Sequence, residues 1–146
     1  MTRADSLPPS TPARTAGRWL LAAFLVFAGV SHLTFARREF RAQVPPWVPM
    51  DADGVVVASG VAEVGLGAAL VVLPRERSRI GWIVAAFFTA VFPGNVAQWR
   101  ERRDAFGLTT DRARFVRLFF QPVLIALALW STRPPRNPRP GRRGRG

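Results

Sequence analysis

The chain contains no cysteine, no lysine and no tyrosine, and its single histidine is His32. Without cysteine there is no disulfide, no dithiol redox couple and no thiolate metal site. One histidine cannot give a monomer the two axial ligands of a bis-histidine haem. No serine, histidine and acid stand at a hydrolytic spacing, and no glycine loop is placed to cradle a phosphate. These shortages set hydrolase and metal-centre chemistry aside, so no metal ligands are assigned.

What is present is arginine and apolar sequence. All 21 basic residues are arginine, against nine acidic ones, and the net charge is +12 in 146 residues. Abundant Arg, Ala, Gly and Pro hint at a GC-rich bacterial genome. The charges crowd into the two ends and three short loops, leaving four long apolar stretches at about 19–35, 55–73, 80–99 and 115–130. Segments of this length match the ~30 Å hydrocarbon core of a bilayer. Trp19, Trp82, Trp99 and Trp130 fall at segment ends, where indoles anchor spanning helices at the interface. Because the arginines flank apolar runs, anionic lipid headgroups are the expected partner and nucleic acid is not. The expected architecture is all-α: an integral membrane bundle of four transmembrane helices within residues 18–132.

Residues 1–17 and 133–146, rich in proline with serine, threonine or arginine, read as disordered tails. The first apolar run exceeds a signal-peptide core and lacks a small-residue cleavage site before Arg37, so it reads as a retained helix. Residues 36–54 read as a loop, since Pro45, Pro46 and Pro49 stop a helix there. This loop is expected to lie on the membrane surface as a cap. Residues 74–79 make a short turn, so the second and third segments form an antiparallel hairpin. Four spans put both termini on one side. That side carries twelve arginines and the other eight, with Arg117 just inside the fourth segment. The positive-inside rule then places both termini in the cytoplasm of a bacterial plasma membrane.

Glu63 is the one charge in Val55–Leu73. A carboxylate at that depth is costly unless protein surrounds it. At 1.5 Å per residue, Glu63 lies ~12 Å inside the face opposite the termini, with His32 ~5 Å, Asn95 ~6 Å and Gln121 ~9 Å inside it. Gln98 sits one turn nearer water. All four segments thus carry a polar group in the same half, while the other halves are nearly bare. The pattern predicts a polar cavity open toward the external face beneath the proline-rich cap. Ala58, Ala62, Gly65 and Ala69 form a smooth stripe expected to make the close helix contact. Ser59, Gly60, Glu63 and Gly67 form the adjoining face. Arg117, one turn from Gln121, is placed to neutralise Glu63. Pro93 and Pro122 release the carbonyls of Thr89 and Leu118.

Four stretches together resemble the DoxX family of small four-helix membrane proteins. They are GVSHLTFARREFRAQVPPWVP, SGVAEVGLGAALVVLPRERSRIGW, AVFPGNVAQW and RLFFQPVLIALALW, and they span about residues 17–132. His32, Glu63, Asn95, Arg117 and Gln121 fall on matching positions. Phe119 replaces the family's proline, and Pro122 is added. The resemblance implies an accessory subunit of a quinone-linked or oxidant-detoxifying system, working beside a redox enzyme and without independent catalysis. On that reading a quinone headgroup occupies the cavity, and His32 and Glu63 exchange its protons. Two other readings stand beside it: a non-catalytic anchor that recruits a peripheral enzyme through its arginine-rich tail, and proton-coupled transport of a small solute, for which four helices require an oligomer. In the plainest reading the five polar residues only hydrogen-bond across helices and fix the bundle.

Overall fold

The computed structural model describes residue 7 and residues 9–134; the expected tails at 1–6 and 135–146 lie outside the described residues. The described chain is all-helical. Its elements are α1 (Pro12–Leu33), α2 (Arg37–Arg41), α3 (Ala52–Val72), α4 (Arg77–Arg100), α5 (Asp111–Leu118) and α6 (Phe120–Thr132). Four stretches are long and apolar enough to cross a membrane: α1, α3, α4 and the α5–α6 pair spanning Asp111–Thr132. They make this a multi-pass helical protein.

Each span begins before its apolar run, because the helix continues through polar residues until a cap stops it. At α1 the cap is Thr11, whose side chain accepts from the Arg14 amide, with Pro12 in the first turn. Proline fits there because its missing N–H has no intrahelical partner to lose. Residues 12–17, expected in a tail, therefore belong to α1. Asp51 caps α3 by accepting from Gly54, and Thr110 caps α5 by accepting from Ala113. The expected loop 36–54 contains the single-turn helix α2, which ends before Pro45.

The fourth span is broken. Phe119 has φ −74° and ψ −16°, donates back to Val116 and accepts from Val123 at 3.4 Å. Pro122 is the cause: it has no N–H for the Leu118 carbonyl. Pro93, by contrast, sits inside an uninterrupted α4.

Packing follows the small residues of α3, though not on the expected stripe. A Cβ on Gly65 would meet nothing within 4 Å, and Ala58 is exposed. The close face is instead Gly60, Glu63 and Gly67, turned toward α1. A Cβ on Gly60 would come 2.8 Å from the His32 side chain, and one on Gly67 2.8 Å from the Ala22 carbonyl. Backbones this near need glycine on the facing surface. Small size alone does not say which side a partner takes, so the alanine stripe is no guide; Glu63 marks the side that has to be buried.

The most extensive interfaces are α1 with α3 and α4 with α6, with α1 against α6 between them. The expected α3–α4 hairpin is present as a chain path, but these two helices touch sparsely. The dry core, Leu21, Leu25, Leu70, Ile80, Val84, Phe88 and Ala128, fills mainly the half nearer the termini. Toward the other end, where α3 and α4 separate beneath α2, the interior turns polar and hollow.

Candidate functional site

The cavity at that end has a volume of about 290 Å³, and His32, Glu63, Asn95, Arg117 and Gln121 all line it. The five residues come from α1, α3, α4, α5 and α6, so the whole bundle builds one site. A second hollow of about 170 Å³ lies under the cap and shares His32, Phe40, Gln43, Ser59 and Val91 with the first.

The polar residues fall into two groups. Asn95 and Gln121 satisfy each other and the backbone. Asn95 Nδ2 donates to Gln121 Oε1 at 2.9 Å, and Gln121 Nε2 donates to the Phe88 carbonyl at 2.9 Å. Gln43 of the cap extends the chain, donating to Gln98 Oε1 at 2.6 Å and lying 3.3 Å from Asn95 Oδ1. This run of amides ties α4, α6 and the cap together. Gln98, expected near water, is only 1% exposed and belongs to it.

His32, Glu63 and Arg117 are different. Nδ1 of His32 lies 2.8 Å from Glu63 Oε2 and also 2.8 Å from the Ala28 carbonyl oxygen. A carbonyl only accepts, so Nδ1 carries a proton. That proton is directed at Ala28, and Glu63 Oε2 has no aligned hydrogen bond although it is buried. Arg117 Nε is also buried, with no hydrogen-bond partner among the described residues. Arg117 does not pair with Glu63 as expected; its guanidinium lies 4.9 Å from the centre of the Phe106 ring. Glu63 lies against His32 because Gly60 lets α1 approach α3 at that level.

Aromatic rings set the shape. Phe40 stacks on His32 with ring centres 3.4 Å apart and planes 19° apart, and Phe106 meets Phe40 edge-on at 4.6 Å. Phe106 holds a left-handed φ of 55°, a conformation that costs a non-glycine residue about 1–3 kcal/mol and accumulates at functional positions. Arg103 fastens the cap by donating to the carbonyls of Ala42 and Val44 at 2.8 and 3.0 Å.

The cavity's mouth is not where the sequence put it. Among the wall residues Phe24, Phe27 and Phe35 are 41%, 65% and 71% exposed. The opening therefore lies on the flank of the bundle beside α1, and the cap closes the end. Sequence reasoning missed Gln43, Phe40 and Phe106 as members of the site. A loop glutamine and two loop phenylalanines carry no depth signal, though Phe40 and Ala42–Val44 do stand out as apolar and amide residues among charges.

No curated protein and no solved structure matches this chain. A family model described as "Domain of unknown function (DUF8561)" matches residues 21–132, which takes in every residue of the cavity wall. The chain belongs to the DUF8561 family.

Proposed function

We propose that this protein is a DoxX-like accessory subunit of a bacterial plasma-membrane redox system, and that its cavity receives a quinone headgroup from the lipid phase. The single observation that carries this reading is the pairing of a flank-facing mouth with unsatisfied polar atoms inside it. Glu63 and Arg117 line the inner wall, each with a buried polar atom that has no hydrogen-bond partner among the described residues, while Phe24, Phe27 and Phe35 line the approach. A ligand that suits both must be apolar outside and carry hydrogen-bonding oxygen within.

Size agrees. An apolar cavity of about 150 Å³ takes up benzene, so about 290 Å³ accommodates one substituted six-membered ring. The roles follow from donor and acceptor capacity. Arg117 Nε–H donates to a ring carbonyl oxygen. Glu63 accepts from the hydroxyl of the reduced ring, and His32, its Nδ1–H given to the Ala28 carbonyl, lies 2.8 Å from the carboxylate. Reduction of the quinone takes two electrons from a partner enzyme and two protons, which Glu63 and His32 relay. The arginine distribution supports both termini on the cytoplasmic side.

The test is direct titration of a short-chain quinone into the full chain in nanodiscs of neutral lipid. Wild type is expected to bind with saturation, and Glu63→Gln and Arg117→Gln to bind at least about tenfold more weakly. Linear, non-saturating partition that is the same for all three would overturn the reading and leave the cavity as a packing defect.

A further inference from the structure

At the opposite end of the bundle another arginine is buried with no acidic partner among the described residues. Arg18, in the second turn of α1, is only 7% exposed, and its Nε and Nη1 have no hydrogen-bond partner among the described residues. Arg77, at the start of α4, is also buried; it donates to the Pro9 carbonyl and lies within electrostatic reach of both Arg18 and Arg14. The acid of the adjoining turn, Glu76, is engaged by Arg79 at 3.1 Å. Ser131 of α6, packed against Gly17, has a buried hydroxyl with no hydrogen-bond partner among the described residues.

A guanidinium does not shed its proton, so it stays charged wherever it is buried. Removing an unpaired charge from water costs several kcal/mol. Three arginines gathered from two helices raise that cost by mutual repulsion. An anion relieves it, and the planar fork of arginine fits phosphate with two parallel hydrogen bonds. The surroundings name the source. Trp19, Trp82 and Trp130 are 55%, 60% and 45% exposed at this same end. Exposed indoles mark the headgroup level of a bilayer, which is the depth of lipid phosphates.

We propose that Arg18, with Arg14 and Arg77 beside it, binds the phosphate group of an anionic membrane lipid in the leaflet on the side of the termini. This site is remote from the cavity and independent of what the cavity holds. It assigns the buried charge a partner that the described residues do not supply.

The experiment uses the full chain in nanodiscs of equal phosphatidylglycerol and phosphatidylcholine, with lipids that stay bound counted by native mass spectrometry. Wild type is expected to retain phosphatidylglycerol preferentially. Arg18→Gln should lower that preference about tenfold, while Arg38→Gln, the same charge change at an exposed position of the other end, leaves it unchanged. Arg18→Lys keeps the charge, loses the fork and should fall between; it also serves as the decisive variant if Arg18→Gln does not fold. A separate arm adds inorganic phosphate to wild type in phosphatidylcholine alone, where no thermal stabilisation over Arg18→Gln is expected. Equal preference in wild type, Arg18→Lys and Arg38→Gln would overturn the site. Stabilisation by inorganic phosphate alone would overturn the lipid as its occupant.

Discussion

Glu63 and His32 meet at 2.8 Å across the close contact of α1 with α3, yet the proton of His32 Nδ1 points to the Ala28 carbonyl. The carboxylate is therefore held close to a charge-capable ring while keeping acceptor capacity for something else. Glu63→Gln keeps the shape, removes the charge and replaces one of the two acceptor oxygens by an NH2 donor. The expected outcome is a folded protein, within about 1 kcal/mol of wild type in detergent unfolding, whose quinone binding is at least about tenfold weaker.

The amide chain makes a different forecast. Asn95 and Gln121 satisfy each other, so their work is cohesion between α4 and α6. Asn95→Leu and Gln121→Leu are each expected to destabilise, with a coupling of about 0.6–1.7 kcal/mol in a double-mutant cycle. Ligand binding should change by less than about threefold, under the free energy of one hydrogen bond. A loss of binding as large as that of Glu63→Gln would move these residues from the frame of the site to its working wall.

Two neighbouring glycines of α3 separate packing from propensity. Gly67 faces the Ala22 carbonyl with no room for a methyl, whereas Gly65 faces open space. Gly67→Ala is expected to destabilise by about 1–3 kcal/mol through overpacking. Gly65→Ala is expected to stabilise by up to about 1 kcal/mol through helix propensity. Both are read from unfolding midpoints of the full chain in one detergent.

These contrasts separate what is legible in the sequence from what is not. The four spans are legible, because a bilayer-length apolar run with tryptophans at its ends suits a spanning helix and little else. The joint level of His32, Glu63, Asn95, Arg117 and Gln121 is legible too, because rise per residue converts position into depth. Azimuth is not. Depth arithmetic does not say which way a side chain turns. It pairs Arg117 with Glu63, whereas the guanidinium faces Phe106, and it leaves Gly65 and Gly67 equal candidates for a contact that only Gly67 makes. The mouth is hidden for the same reason: three phenylalanines near α1 look alike in sequence whether they seal a core or rim an opening.

The break at Phe119 carries the last forecast. Arg117 closes α5 and Gln121 opens α6, so the two sit on either side of a joint set by Pro122. Pro122→Ala restores an N–H for the Leu118 carbonyl and removes the ring that splays the turn. Stability should rise, by at most the roughly 3 kcal/mol that separates proline from alanine inside a helix. Straightening should also carry Arg117 around the axis relative to Gln121, whose amide is fixed to Phe88 and Asn95. The guanidinium then leaves the Phe106 ring, and its Nε leaves the inner wall. Quinone binding is expected to weaken as unfolding becomes harder. Opposite movement of the two measurements identifies the joint as a positioning device; a gain in stability with binding intact would show that Arg117 acts from wherever α5 carries it.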